Sequence, residues 1–319
     1  MSVIRDTAAG VSLTVASGLD EIFDSAYEQD KQPGVVRADD PLFFQQRTTP
    51  YLWHQYAESQ GPGQFRVTQE DEEVDDATVR VGNRTVAEVF EFDRDIAIPQ
   101  RYQEASSEYG TVENWVRELG IRARTSQDEQ AFRRSYADAF SGVTTPDGAA
   151  LISNTHTSLA GTTVDNLETG AASADNVATL IRVLRLQPAQ DGSLGSTYAD
   201  GILGPAQLHP TLTVITESQL KPGITDNDIN YISRVYPGLM VGASAWLDSD
   251  YNTYNSNANT SYFVVSKMHS VCREIRVPIQ REYVEPRFDR KRRAFYRARF
   301  SERVIAGTWV GIAGSNGTA

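Results

Sequence analysis

Asp147 to Gly161 reads DGAALISNTHTSLAG. Asp147-Gly148 is a turn dipeptide, Ala149 to Ile152 form a short apolar run, His156 stands alone among Asn, Ser and Thr, and Gly161 closes the stretch. It begins where a long helical pattern ends and leads into a loop rich in Asn, Gly and Thr. The segment therefore joins two different kinds of structure.

Upstream, residues 111–140 carry the clearest helical pattern of the chain. Val112, Trp115, Val116, Leu119 and Ala123 make one stripe, which Phe132, Tyr136 and Phe140 continue at intervals of four. Thr111 is a candidate cap, Gly120 and the run TSQD admit a bend or a division into two helices, and Gly142 and Pro146 stop the pattern. Before it, residues 61–100 read as a long hairpin, with an acidic tip at 70–76 and a Gly82-Asn83 turn between alternating stretches. Residues 1–60 read as an arm, broken by KQPG, DDP and TTPY. Gly18 to Tyr27 forms a brief helix there, and Phe43, Phe44, Tyr51, Leu52, Trp53 and Tyr56 suit the arm to lie on another surface. Downstream, Ser173 to Leu186 predicts a second helix capped by Ser173 or Asp175. Leu208 to Ile215 and Phe263 to Val265 read as strands, and Phe295 to Gly314 contains two more. No repeat of solenoid period occurs.

The 319 residues allow one large domain or two ordinary ones, and 40% hydrophobic with 23% charged residues fits a folded globular chain. No apolar run reaches the roughly 20 residues that span a bilayer, and the N-terminus lacks the pattern of a signal peptide. The charge is unevenly placed. Residues 1–110 hold 9 basic and 21 acidic residues, residues 111–266 hold 9 and 16, and residues 267–319 hold 12 and 5. An acidic chain of net charge −12 is a poor general binder of nucleic acid. Its basic C-terminal block suits the acidic N-terminal part of another copy. Lysine occurs only at 31, 221, 267 and 291, against 26 arginines.

The motifs of common catalysts are missing: no H-E-x-x-H, no G-x-S-x-G, no Walker loop and no G-x-G-x-x-G. A single cysteine, Cys272, excludes an internal disulfide and a multi-cysteine zinc site. His156 beside Ser153 and Ser158, or His269 beside Cys272, are the residues a hydrolase would use. A structural role is the expectation for both histidines and for the thiol. No catalytic residue, metal or cofactor is expected.

Taken in order, an aromatic arm, a long hairpin, a long helix, DG…LIS…H…G, a second helix, a mixed sheet and C-terminal strands resemble the major capsid protein of tailed double-stranded DNA viruses of the Hong Kong 97 type. IAIPQRY (96–102), DGAALISNTHTSLAG and NYISRVYPGLMVGASAWLDSD carry the likeness over about residues 60–315, closest to the Mu-like head subunits. The resemblance implies an α+β fold. Residues 1–60 would be the N-arm, 61–100 the extended loop and 101–174 the peripheral domain with its spine helix. Residues 175–265 would be the axial domain, and 266–319 the peripheral return with the C-terminal strands. It further implies self-assembly into hexamers and pentamers of an icosahedral virion shell built in the host cytoplasm around double-stranded DNA held without sequence specificity. A separate scaffolding protein and a portal are implied partners, a cement protein is admitted, and no membrane is involved. Relatives that crosslink do so through a lysine in the extended loop. No lysine lies between 32 and 220 here, so noncovalent stabilisation is the expectation. Phe65, Val67, Phe90 and Phe92 are the candidate contacts of the hairpin with a neighbouring copy, and Arg287, Arg290, Lys291, Arg292 and Arg293 those with an acidic surface. The rival readings are an encapsulin-like compartment of the same fold, a hydrolase, and a nucleic-acid-binding module using residues 273–303.

Overall fold

A computed structural model describes residues 18–28, 32–60, 80–99, 109–195, 197–222, 228–284 and 293–318. Leu19, Ile22, Phe23 and Ala26 recur at the spacing of one helical face and form α1 (18–27). Strands β1 (Gln45–Thr48), β2 (Trp53–Ser59), β3 (Val81–Glu88) and β4 (Phe90–Pro99) follow, then the long helix α2 (Tyr109–Arg133). Three two-residue strands, β5 (His156–Thr157), β6 (Thr163–Val164) and β7 (Leu167–Glu168), precede α3 (Ala174–Leu186). The rest comprises β8 (Gly201–Pro205), α4 (His209–Glu217), α5 (Tyr231–Val235), β9 (Met240–Ser244) and β10 (Tyr262–Val265). It ends with β11 (Val271–Val284), β12 (Arg293–Ala306) and β13 (Ile312–Ser315). The fold is α+β, and the chain divides into two units, one drawn from residues 1–32, 89–129 and 275–302, the other from 33–88, 130–274 and 303–319.

In the first unit, β4 runs antiparallel to β12, from Arg293 opposite Pro99 to Glu302 opposite Phe90. Ala294, Tyr296 and Ala298 alternate inward along β12 and meet Leu19 and Phe23 of α1 and Val112, Val116, Leu119 and Ala123 of α2. α2 is one uninterrupted helix of 25 residues, about 37 Å long at 1.5 Å per residue. The division into two helices that Gly120 and TSQD admitted does not occur. This glycine lies where α1 crosses, and a Cβ there would stand 2.7 Å from the Phe23 carbonyl oxygen. It serves close approach of two helices, which offsets its poor helix propensity. Tyr296 donates to Asp20 at 2.7 Å, and Arg281 pairs with Asp24 at 2.6 Å.

The second unit is built on a five-stranded sheet of order β7-β13-β10-β8-β9. β10 is antiparallel to both β13 and β8. All four residues of β10 are buried, and its two faces serve different cores. Phe263 and Val265 join Phe43, Phe44, Phe132, Tyr136, Leu151 and Ile152, while Tyr262 and Val264 join α3 and α4. A strand covered on both sides reads as a continuous apolar run, as YFVV does. Ser173 caps α3 as expected, its hydroxyl accepting from the Asn176 N–H at 3.2 Å.

Three expectations fail here for physical reasons. Leu208 to Ile215 is not a strand: Leu208 ends a short 3-10 turn and residues 209–215 lie in α4. Its β-branched residues favour a strand, yet Leu212 and Ile215 share a buried helical face. The Thr213 and Thr216 hydroxyls bond back to carbonyls four residues earlier at 2.9 and 3.1 Å. Phe43 and Phe44 are not free to lie on another surface, since they fill this unit's own core, with Tyr136 donating to the Phe43 carbonyl at 2.8 Å. The hairpin of 61–100 is divided differently. β3 pairs antiparallel with β2, Gly82-Asn83 lie inside β3 rather than at a turn, and β4 pairs with β12. Residues 61–79, with the acidic tip, lie outside the described residues.

Candidate assembly surface and the block beneath it

The segment 147–161 is a closed knot of local hydrogen bonds on two apolar anchors. Gly148 and Gly161 take φ of +85° and +83°, the left-handed region that glycine enters without strain. Leu151 and Ile152 are buried in the core, and β5 pairs with β6 through His156 opposite Val164. Asn166 ties the segment to the sheet: its side-chain oxygen accepts from the Ser153 N–H at 2.8 Å, and its amide donates to the Leu151 and Ile312 carbonyls. His156 is fully buried. Its Nδ1 lies 2.8 Å from the Asp147 carboxylate, and its ring leans on Trp309 with centroids 5.6 Å apart. Burial works against the charge of Asp147. Its bonds from His156, Thr145 and the Ala149 N–H outweigh burial and hold the carboxyl below its ordinary pKa.

The ribbon β2–β3 rests on this block. A Cβ at Gly82 would collide with the Leu159 side chain, so the glycine makes room for the block's leucine. Leu159 N–H in turn donates to Gln190 Oε1 at 3.1 Å, and Gln190 Nε2 donates to Glu58 of β2 at 3.4 Å. Glu58 is 1% exposed, and its carboxyl is pushed up to about 7, first by burial and then by the Asp147 charge, against His156 and the Gln190 bond. Farther along, Arg303 bonds the Ala87 carbonyl of β3 and is itself neutralised by the buried Glu274.

The opposite face of the ribbon is bare. Strand alternation puts Trp53, Gln55 and Ala57 of β2 on the same side as Glu88, Val86 and Arg84 of β3. Trp53 is 65% exposed and Val86 59%, with Tyr51 and Leu52 beside Trp53 in sequence also exposed. Two large apolar groups, Trp53 and Val86, thus share one exposed face of the ribbon with Gln55, Ala57, Arg84 and Glu88.

Of the expected contact residues, Phe90 is exposed. Phe92 is half-buried and stacks on Phe300 with ring centroids 4.9 Å apart. It also lines a groove of about 890 Å³ with Trp115, Leu119 and Arg122. Phe65, Val67, Arg287, Arg290, Lys291 and Arg292 lie outside the described residues, as does the side chain of Arg293. His269 is buried, its Nε2 donating to the Leu42 carbonyl at 2.9 Å and its Nδ1 accepting from the Val271 N–H at 3.0 Å. Burial lowers it to about 4. Cys272 lies on β11, and burial raises its thiol. The buried histidines and thiol offer no open nucleophile. Among the described residues no group of three His, Cys, Asp or Glu could hold a metal ion, and no helix is long and apolar enough to cross a membrane.

No protein-family model and no curated protein matches this sequence. Solved structures do match in fold. A capsid of an empty GTA particle matches with a TM-score of 0.53 at 12% identity, over 93% of this chain and 97% of that one. A virus-like particle from Pyrococcus furiosus matches with 0.51 at 10% identity, over 94% and 98%. This chain has the Hong Kong 97-type capsid fold. The mature capsid of bacteriophage PhiM1 matches with 0.51 at 10% identity, over 90% of each chain. At such identities the likeness is one of Hong Kong 97-type architecture, and it runs nearly end to end in both directions.

Proposed function

We propose that this chain is the major capsid subunit of a tailed-virus head, assembling through contacts between copies into an icosahedral shell of hexamers and pentamers. The observation that carries the reading is the end-to-end fold match with shell-forming chains, 94% of this chain against 98% of the virus-like particle subunit. The bare ribbon face supports it, because a two-stranded ribbon with Trp53 and Val86 outward needs a second surface to cover it. In this reading residues 101–174 and 266–319 form the peripheral domain, 175–265 the axial domain, and 61–100 the extended loop. The subunit acts by packing and carries out no chemistry. Its partners are further copies, a scaffolding protein, a portal, and packaged double-stranded DNA met through the backbone without sequence readout. The finished shell is the virion head.

Negative-stain electron microscopy of the purified chain, with mass by light scattering, tests this. Shells, tubes or six-fold rings of megadalton mass are expected, alone or on co-expression with a scaffold. A chain that stays monomeric or dimeric under crowding, salt and scaffold would overturn the reading. Shells that enclose an enzyme and exclude DNA would move it to a compartment of the same fold.

A further inference from the structure

The inner face of the ribbon has two seats of opposite character. At one, Arg303 bonds the Ala87 carbonyl and lies 5.9 Å from the Tyr56 ring, and its charge is met by Glu274. At the other, Glu58 enters the block with only the Gln190 amide on one carboxyl oxygen. Its second oxygen, Oε2, is buried without a hydrogen-bond partner among the described residues. The titratable groups facing Glu58 there are Asp147 and His156, already bonded to each other at 2.8 Å. An ionised Glu58 would put a second buried carboxylate beside that of Asp147, with one of its oxygens lacking any donor among the described residues. A protonated Glu58 fits the same seat as a neutral acid.

We propose that Glu58 is a proton-operated latch: neutral, it seats β2 on the 147–161 block and Gln190, and ionised, it leaves the seat and loosens that end of the ribbon. The latch lies within one chain and does not depend on what the chain assembles into. Its direction follows from linkage. The seated carboxyl holds its proton to about pH 7, and a freed one only to its ordinary value of 4.5. The seat is therefore firmest below pH 4.5, weakens as pH rises through 7, and changes no further above that. Within the window the opening equilibrium grows by up to ~10-fold per pH unit.

Hydrogen exchange of the full chain between pH 5 and 8 tests the latch. Protection factors, corrected for the intrinsic pH dependence of exchange, are read for amides 53–59 and 81–88, with those of β10 as reference. Ribbon protection is expected to fall about tenfold or more relative to β10 as pH rises, and E58Q is expected to keep its acid-pH protection at pH 8. A flat wild-type profile, or E58Q tracking the wild type, would overturn the proposal. Should E58Q not fold, the infrared carboxyl stretch of the wild-type chain at pH 6 decides. A protonated buried carboxyl supports the latch, and its absence overturns it.

Discussion

His269 sits between two backbone partners with a fixed division of labour. Nε2 donates to Leu42 and Nδ1 accepts from Val271, so the ring is held neutral. Protonation would turn the accepting nitrogen into a donor facing another donor, inside an apolar seat. The folded chain binds this proton only near pH 4, whereas an unfolded one binds it near 6.5. The unfolded state therefore gains protons first as pH falls, and the stability that His269 contributes is present above 6.5 and lost down to about 4. Over that window the loss is about 3 kcal/mol. Urea denaturation of the unassembled chain at pH 7 and pH 4.5 should show it, and His269→Gln, which retains one donor and one acceptor, should flatten the difference. An equal acid loss in that variant would place the effect elsewhere. Sequence gave fair access to this residue, because a lone histidine without a paired ligand points to a structural role. It gave none to Glu58, whose partners come from positions 147, 156 and 190 and share no spacing with it.

The ribbon carries exposed apolar side chains on its outer face. Trp53 and Val86 project from its outer face, away from the block that holds its inner one. Polar replacements there leave the fold's contacts intact, since surface changes of this kind stay within about 0.5 kcal/mol. Trp53→Ser combined with Val86→Arg should keep the circular dichroism and urea midpoint of the parent chain while reducing the yield of shells severalfold by light scattering. Undiminished yield would remove this face from the copy-to-copy contacts. Elements were legible where local spacing and packing agree, as in α3 and β10. α2 was found too, but it starts at Tyr109 and ends at Arg133, so Thr111 lies inside it and Tyr136 and Phe140, expected on its stripe, lie in the turns beyond its end. They were misread where tertiary contact overrules a local signal. Gly82-Asn83 has the composition of a hairpin turn, but the glycine is there to admit Leu159. Gly120 has the look of a helix break, but it admits α1. The partners of β2 and β4 were hidden as well, because pairing across 22 or some 200 residues leaves no periodic trace.

At the scale of the whole chain, a shell built of this chain, as proposed, would have two means of resisting disruption: covalent links or many modest contacts. An amide crosslink needs a lysine amine delivered to a carboxyl or carboxamide on another copy. Between residues 32 and 220 no lysine exists to deliver, which covers β2, β3 and everything between them. Lys221 and Lys267 are described, and each is engaged in its own chain, with Asp175 at 2.8 Å and Asp200 at 3.6 Å. The 26 arginines cannot replace them as nucleophiles, because the guanidinium stays protonated. On the proposed reading, stability is expected from apolar faces such as the ribbon's and from pairing of the basic 267–319 block with acidic surface, an interface of standard size burying ~1,600 Å². Boiling finished shells in detergent should release one band at 35.3 kDa, with no ladder at its multiples. A ladder that persists under reducing conditions would mean that Lys31 or Lys291 reaches a neighbour, and the noncovalent account would fall.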